Sequence, residues 1–175
     1  MNTNSHLLIN LFLLKRLFKK HFEEPGPWFT QVVLLGALLP DLPMFGFYAY
    51  YAFIDPQPEE RIWNTLYFLD SWQVFFNCFN SLPIFILLLC AGLYAKKQLV
   101  SAFSLSSILH ILGDLFLHVD DGHAHFFPLS NFVLHSPVSY WDKHHYGNIF
   151  APLELLAVCV VSFFLWQEYK RWYSK

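Results

Sequence analysis

Three long, predominantly apolar stretches dominate the chain. Trp28 to Ile54 carries one charge, Asp41; Ser71 to Ala95 carries none; Tyr146 to Gln167 carries one, Glu154. A helix crossing a hydrocarbon core of about 30 Å needs about 20 largely apolar residues, so each stretch predicts a spanning helix. A fourth stretch, Gln98 to Val119, is equally apolar but interrupted by His110, Asp114 and His118. Ionisable groups inside a spanning helix are costly and mark function or pairing, so this stretch is predicted to span as well. The N-terminal segment differs: an apolar run after His6 is followed by Lys15, Arg16, Lys19 and Lys20. A secretory signal has the opposite order, basic residues first, so an amphipathic helix in the interface or a half-inserted helix is expected. Glu-Glu-Pro-Gly-Pro at 23–27 is expected to end it. The pattern predicts an all-α integral membrane bundle of about four spanning helices, formed as one domain over 1–175, with a His-rich outer loop.

Composition agrees with the pattern. Of 175 residues, 55% are apolar and only 14% charged, whereas a soluble domain carries about 25% charged residues. A net charge of −2 leaves no basic field for nucleic acid, and an aromatic share of 20% excludes disorder. Cys78, Cys90 and Cys159 lie inside apolar runs, odd in number and without CxxC spacing; they behave as small hydrophobes. Basic residues cluster before the first span, at Lys96–Lys97 between the second and third, and in the tail, while loops 55–70 and 120–145 carry one each. The positive-inside rule then places both termini in the cytoplasm and the His-rich loop outside.

The chemistry concentrates in residues 110–125, His-Ile-Leu-Gly-Asp-Leu-Phe-Leu-His-Val-Asp-Asp-Gly-His-Ala-His. Spacing of i, i+4, i+8 puts His110, Asp114 and His118 on one helical face, about 6 Å apart along the axis. Imidazole and carboxylate are good ligands for zinc and similar ions. Asp120, Asp121, His123 and His125 add further ligand groups beyond the expected helix end, with Gly122 allowing a sharp turn between them. At about 1.5 Å per residue, Asp41, Asn80 and His110 reach one depth in the membrane, and His6 on a half-inserted helix reaches about 13 Å. Asp114, His118 and Glu154 step outward, outlining a polar shaft. Asp41 sits between Pro40 and Pro43, where the helix must break and free carbonyls that protein or water must satisfy.

These pieces resemble the predicted membrane-bound metal-dependent hydrolases, small bacterial inner-membrane proteins. The resemblance rests on His6, Gly36-Ala-Leu-Leu-Pro-Asp41, Phe79-Asn-Ser-Leu-Pro83, His110-Ile-Leu-Gly-Asp114-Leu-Phe-Leu-His118, Asp120-Asp-Gly-His-Ala-His-Phe-Phe-Pro128 and Ser136-Pro-Val-Ser-Tyr-Trp-Asp142. Asn80 stands where members usually carry a His. The family resemblance implies an all-α bundle and a hydrolase acting on a phosphoester or lipid-linked substrate, with membrane lipid as its surroundings and no nucleic acid. On this reading His110, Asp114 and His118 hold a divalent metal, zinc first and manganese or iron next, with Asp41 and His6 completing the site. Asp121, His123 or His125 binds a second ion or acts as general base, and Asn80 and Glu154 support the ligands from behind. Two other readings stay open. One is a non-enzymatic metal-binding or ion-conducting membrane protein. The other is a di-iron membrane oxygenase, for which the chain lacks an HxxHH box.

Overall fold

The computed structural model describes residues 1–21 and 26–173. These are helical throughout their regular elements, with no strand among the described residues. The expected Pro-Gly stop at 23–27 falls mostly outside them. Helix α1 spans Thr3–His21 and α2 Phe29–Leu38, followed by α3, Leu42–Ala49, which runs on into a π-helical turn Tyr50–Ile54. A short helix α4, Glu59–Arg61, continues as a second π-helical turn Ile62–Leu66. Then come α5 (Asp70–Phe79), α6 (Leu82–Tyr94), α7 (Gln98–Leu115) and α8 (Gly147–Tyr173).

Asp70–Tyr94, Gln98–Leu115 and Gly147–Arg171 are each long and apolar enough to cross a membrane. Phe29–Leu38 with Leu42–Ile54 passes as a fourth if the pair, bent by 58°, is one span. This is compatible with an integral membrane protein. The bend falls at Pro40-Asp41, where proline removes a helical hydrogen bond and its ring crowds the preceding turn.

Helix α7 is the central element, packed by α6, α2 and α1. Its buried side is lined by small polar residues rather than large apolar ones. Ser106 and Ser107 donate to the carbonyls of Val33 (2.7 Å) and Gly36 (2.9 Å) on α2, and Asn10 of α1 donates to the Ser106 carbonyl (2.8 Å). Hydroxyls satisfied by backbone oxygens allow close approach of the helices and hold them in register where little water is present. At Gly36 the approach is closest: a Cβ there would lie 2.4 Å from the Phe103 carbonyl oxygen.

Two departures from the sequence reading place the site. Helix α7 ends at Leu115, not Val119, so His118 leaves the shared helical face and lies just past the helix end. The outer loop claims the carbonyls that would have continued the helix. Ser136 Oγ donates to Phe116 O (2.6 Å), Tyr140 N to Leu117 O (3.1 Å) and Ser136 N to His118 O (2.9 Å). The expected single stretch 71–95 is interrupted between α5 and α6 at Asn80-Ser81. Asn80 Nδ2 donates to the carbonyls of Phe76 (3.1 Å) and Pro40 (3.2 Å), while Ser81 caps α6 by accepting from Ile84 N. This interruption docks the His-rich loop: Asn77 Oδ1 accepts from Ala124 N (2.9 Å), Leu82 N donates to His125 O (2.9 Å), and Ser81 Oγ donates to Phe127 O.

Above the loop's edge, α3, the second π-turn and α5 close on an aromatic cluster around fully buried Phe47. Tyr51, Trp63, Tyr67, Trp72 and Phe76 present their edges to it at centroid distances of 5.1–6.2 Å, the geometry that ring quadrupoles favour.

Candidate metal centre

Asp114 is the hub of the polar chamber. His6 Nε2 lies 3.0 Å from its Oδ1 and His110 Nε2 3.1 Å from its Oδ2. One ligand atom from each of His6, His110 and Asp114 falls within 4.8 Å of the other two, and all three residues are buried. The imidazoles of His6 and His110 stack face to face, centroids 3.6 Å apart and planes 14° from parallel. Asp41 Oδ1 lies 3.4 Å from His110 Nε2, and His118 Nε2 lies 3.9 Å from Asp114 Oδ1. Residues 6, 41, 110 and 114 thus converge from α1, the α2–α3 break and α7, with 118 at the rim.

The hydrogen bonds of His110 test whether a cation fits. Its Nδ1 lies 2.6 Å from the Ala37 carbonyl oxygen, which can only accept, so Nδ1 carries the hydrogen. The neutral tautomer then turns a lone pair on Nε2 toward two carboxylates. Nε2 is buried, close to both oxygens and aligned with neither as a hydrogen bond. Lone pairs of three groups, one imidazole and two carboxylates, facing one another require a positive species between them, a proton or a metal ion. His6 Nδ1 is likewise buried without a hydrogen-bond partner. The donor set, two imidazoles and one or two carboxylates, fits a divalent transition ion.

Helix α1 also supplies groups that the sequence reading missed. Thr3 Oγ1 donates to Asp41 Oδ2 (2.5 Å). The backbone N and Nδ2 of Asn2 donate to the two oxygens of Glu154 (2.7 and 2.9 Å), and the Met1 ammonium lies 2.5 Å from Asp114 Oδ1. Thr3, His6 and Asn10 recur at i, i+3 and i+7, one polar stripe on an otherwise apolar face; that spacing was the available signal. Glu154 is therefore engaged by Asn2, not by a histidine. Asn80 is engaged by backbone carbonyls, which makes it a helix-break residue rather than a support for a ligand.

The remaining loop residues separate. His123 lines the chamber, a cavity of about 220 Å³, together with Asp41, Asp114, His118 and Tyr140. Burial pushes its pKa down to about 3, with His125 and His118 adding to the shift, so its ring is neutral near pH 7. His125 is turned away, with Nδ1 3.2 Å from the Asn80 carbonyl. Burial raises the carboxyl pKa of Asp121, but the His118 ring beside it outweighs that and holds it below the usual range. Asp121 Oδ1 lies 3.0 Å from His118 Nδ1 without hydrogen-bond alignment, and its Oδ2 accepts from Trp141 Nε1 (3.0 Å), so it is a charged neighbour of His118 outside the chamber. Gly122 does not take up left-handed backbone; its lack of a side chain serves close packing, since a Cβ would lie 3.3 Å from Val133 Cγ1.

An all-helical chain with three to four apolar spans thus encloses a buried His/Asp group able to hold a metal ion. No family model, curated protein or solved structure matches the chain.

Proposed function

We propose that this protein is a membrane-embedded, metal-dependent hydrolase, the activity implied by its resemblance to the predicted membrane-bound metal-dependent hydrolases. The observation that carries the reading is the mutual approach of His6, His110 and Asp114 in a buried chamber. His110, its Nδ1 fixed by Ala37, aims a free nitrogen at carboxylates. His6, His110 and Asp114 would hold the ion, with Asp41 and His118 within reach to complete its shell. A divalent ion there supplies Lewis acidity, the means of activating water and polarising a phosphoryl oxygen near neutral pH. Asp121 lies beside His118 as its charged neighbour, and neutral His123 lines the chamber wall. The substrate class is a phosphoester or other lipid-linked bond, and zinc is the first choice of ion. The family resemblance implies a bacterial inner membrane, and the distribution of basic residues supports both termini in the cytoplasm with the chamber mouth outside.

The test is elemental analysis of detergent-purified protein, wild type beside His110→Ala/Asp114→Ala, followed by phosphoesterase assay of the loaded protein. One or two equivalents of zinc or manganese, lost in the double variant, with turnover in the wild type, supports the reading; iron would favour the oxygenase. Absence of metal from both proteins sinks it. A second reading, a purely structural polar network, draws on Thr3 and Asn2. They already satisfy oxygens of Asp41 and Glu154 without an ion.

A further inference from the structure

A second and larger cavity, about 490 Å³, opens beside the chamber and shares Met44, His118 and Tyr140 with it. Its volume lies within the range of small-molecule sites, roughly 300–1,000 Å³. One wall is Trp63, Tyr67 and Phe68 from the second π-turn and the residues just after it; the other is Tyr140 and Trp141 from the loop before α8.

The indoles of both walls are held in place. Trp63 stacks on Tyr48, centroids 5.5 Å apart and planes 12° from parallel. Trp141 donates its Nε1–H to Asp121 yet stays 60% exposed. Two fixed, flat apolar faces flanking an open space form a preorganised surface, since binding there costs little side-chain ordering.

The polar complement of the groove selects among ligands. Asp120, Asp121 and Asp142 line it, with Asn64 and Ser139, and the lining contains no Lys or Arg. An anion would meet carboxylates without a compensating cation. A hydrocarbon chain would desolvate those carboxylates without pairing them. A quaternary ammonium would meet the rings and carboxylates but offer no acceptor to the Asn64 amide or the Ser139 hydroxyl. A sugar ring meets every condition. Its hydroxyls donate to carboxylates, which keep acceptor capacity beyond the bonds they already make, and its C–H faces cover the rings.

We infer that this groove is a saccharide-binding site, and that the substrate reaching the chamber carries a sugar beside its scissile bond. The second clause rests on the hydrolase reading; the first does not. A ring seated between Trp63 and Trp141 has its reacting end directed past His118 and Tyr140, the residues common to both cavities.

The experiment is saturation-transfer NMR on the full chain, metal-free, in a polyoxyethylene detergent so that no glycoside is present. The probes are methyl α-glucopyranoside, methyl α-galactopyranoside and methyl α-mannopyranoside, with choline chloride and glycerol 3-phosphate beside them. The expected result is saturable binding of at least one glycoside. Trp141→Ala should weaken it at least tenfold and Asp120→Asn about threefold, with the thermal midpoint of each variant within a few degrees of wild type. Should Trp141→Ala fail to fold, Trp63→Phe, which keeps a ring but shrinks the stacking face, should still weaken binding severalfold. Binding of choline or glycerol 3-phosphate in place of glycosides overturns the inference. So does glycoside binding that both Trp variants leave intact, or binding of no probe at all. Metal uptake is read on a separate portion of the same protein after incubation with zinc and removal of the excess. Glycoside binding in a protein that takes up no metal removes the hydrolase and keeps the groove; metal uptake without glycoside binding does the reverse.

Discussion

Helices α7 and α8 are both long enough to cross a membrane and are spent in opposite ways. In α7, 56% of the apolar window is buried inside the protein, and the buried positions include Ser101, Ser104, Ser106, Ser107, His110 and Asp114. In α8 only 11% is buried, and Glu154 is its deeply buried polar contribution. Hydrophobicity makes both helices apolar enough to cross a bilayer; the placement of polar groups decides which one the others surround. A helix whose polar residues must be satisfied by neighbours becomes the centre, while one with little polarity can meet lipid on most of its surface.

The largest effect expected from breaking this contrast is at the hub of α7. Asp114→Ala leaves His6 and His110 facing each other without their shared carboxylate. Removing one partner of a buried charged group costs about 3–5 kcal/mol, read as a lowered thermal midpoint in detergent together with loss of bound metal. Chelation comes next. If the ion is present at about 100 times its dissociation constant, removing it costs about 2.7 kcal/mol, and the midpoint should fall in wild type but not in Asp114→Ala.

Close approach is the third test. Gly36→Ala drives a methyl group against the Phe103 carbonyl oxygen and should cost about 1–3 kcal/mol through overpacking. Gly46→Ala in α3, where nothing lies within 4 Å of the added Cβ, should stabilise by about 0.5–1 kcal/mol. Both are read by thermal unfolding. The smallest effect belongs to α8. Leu156, 61% exposed, should tolerate Leu156→Ala to within about 0.5 kcal/mol. A clearly larger loss would mean that α8 packs against another protein surface.

The spans and the broken helix at Pro40-Asp41 were legible because apolar length and proline act locally. The approach of Asp41 to His110 was legible from depth, since residue rise fixes height along a helix, and that of Asp114 to His110 from their i, i+4 spacing; His6 came from the family resemblance. Depth says nothing about azimuth: the Asn80 side chain binds backbone carbonyls while its own carbonyl meets His125, and Glu154 binds Asn2. The end of α7 was hidden for a different reason. Phe116, Leu117 and Val119 continue the apolar pattern, and the helix stops because Ser136 and Tyr140, some twenty residues later, take its carbonyls. Neither the aromatic groove nor the hydrogen bond of Trp141 to Asp121 has a local signal, because each is assembled from segments far apart in sequence.

The docking of α1 sets a schedule for biosynthesis. Its first turn finds its partners only when Asp114 and then Glu154 have been made, and Asn2 is 152 positions ahead of Glu154. At about 5–20 residues per second, that separation is roughly 8–30 s of translation. Through that interval the helix carries an unsatisfied polar stripe beside a strongly apolar face, with Lys15, Arg16, Lys19 and Lys20 at its far end. The membrane surface is where such a helix can wait, its basic end among anionic headgroups. The polar chamber therefore closes last, by the arrival of a segment synthesised long before its partner.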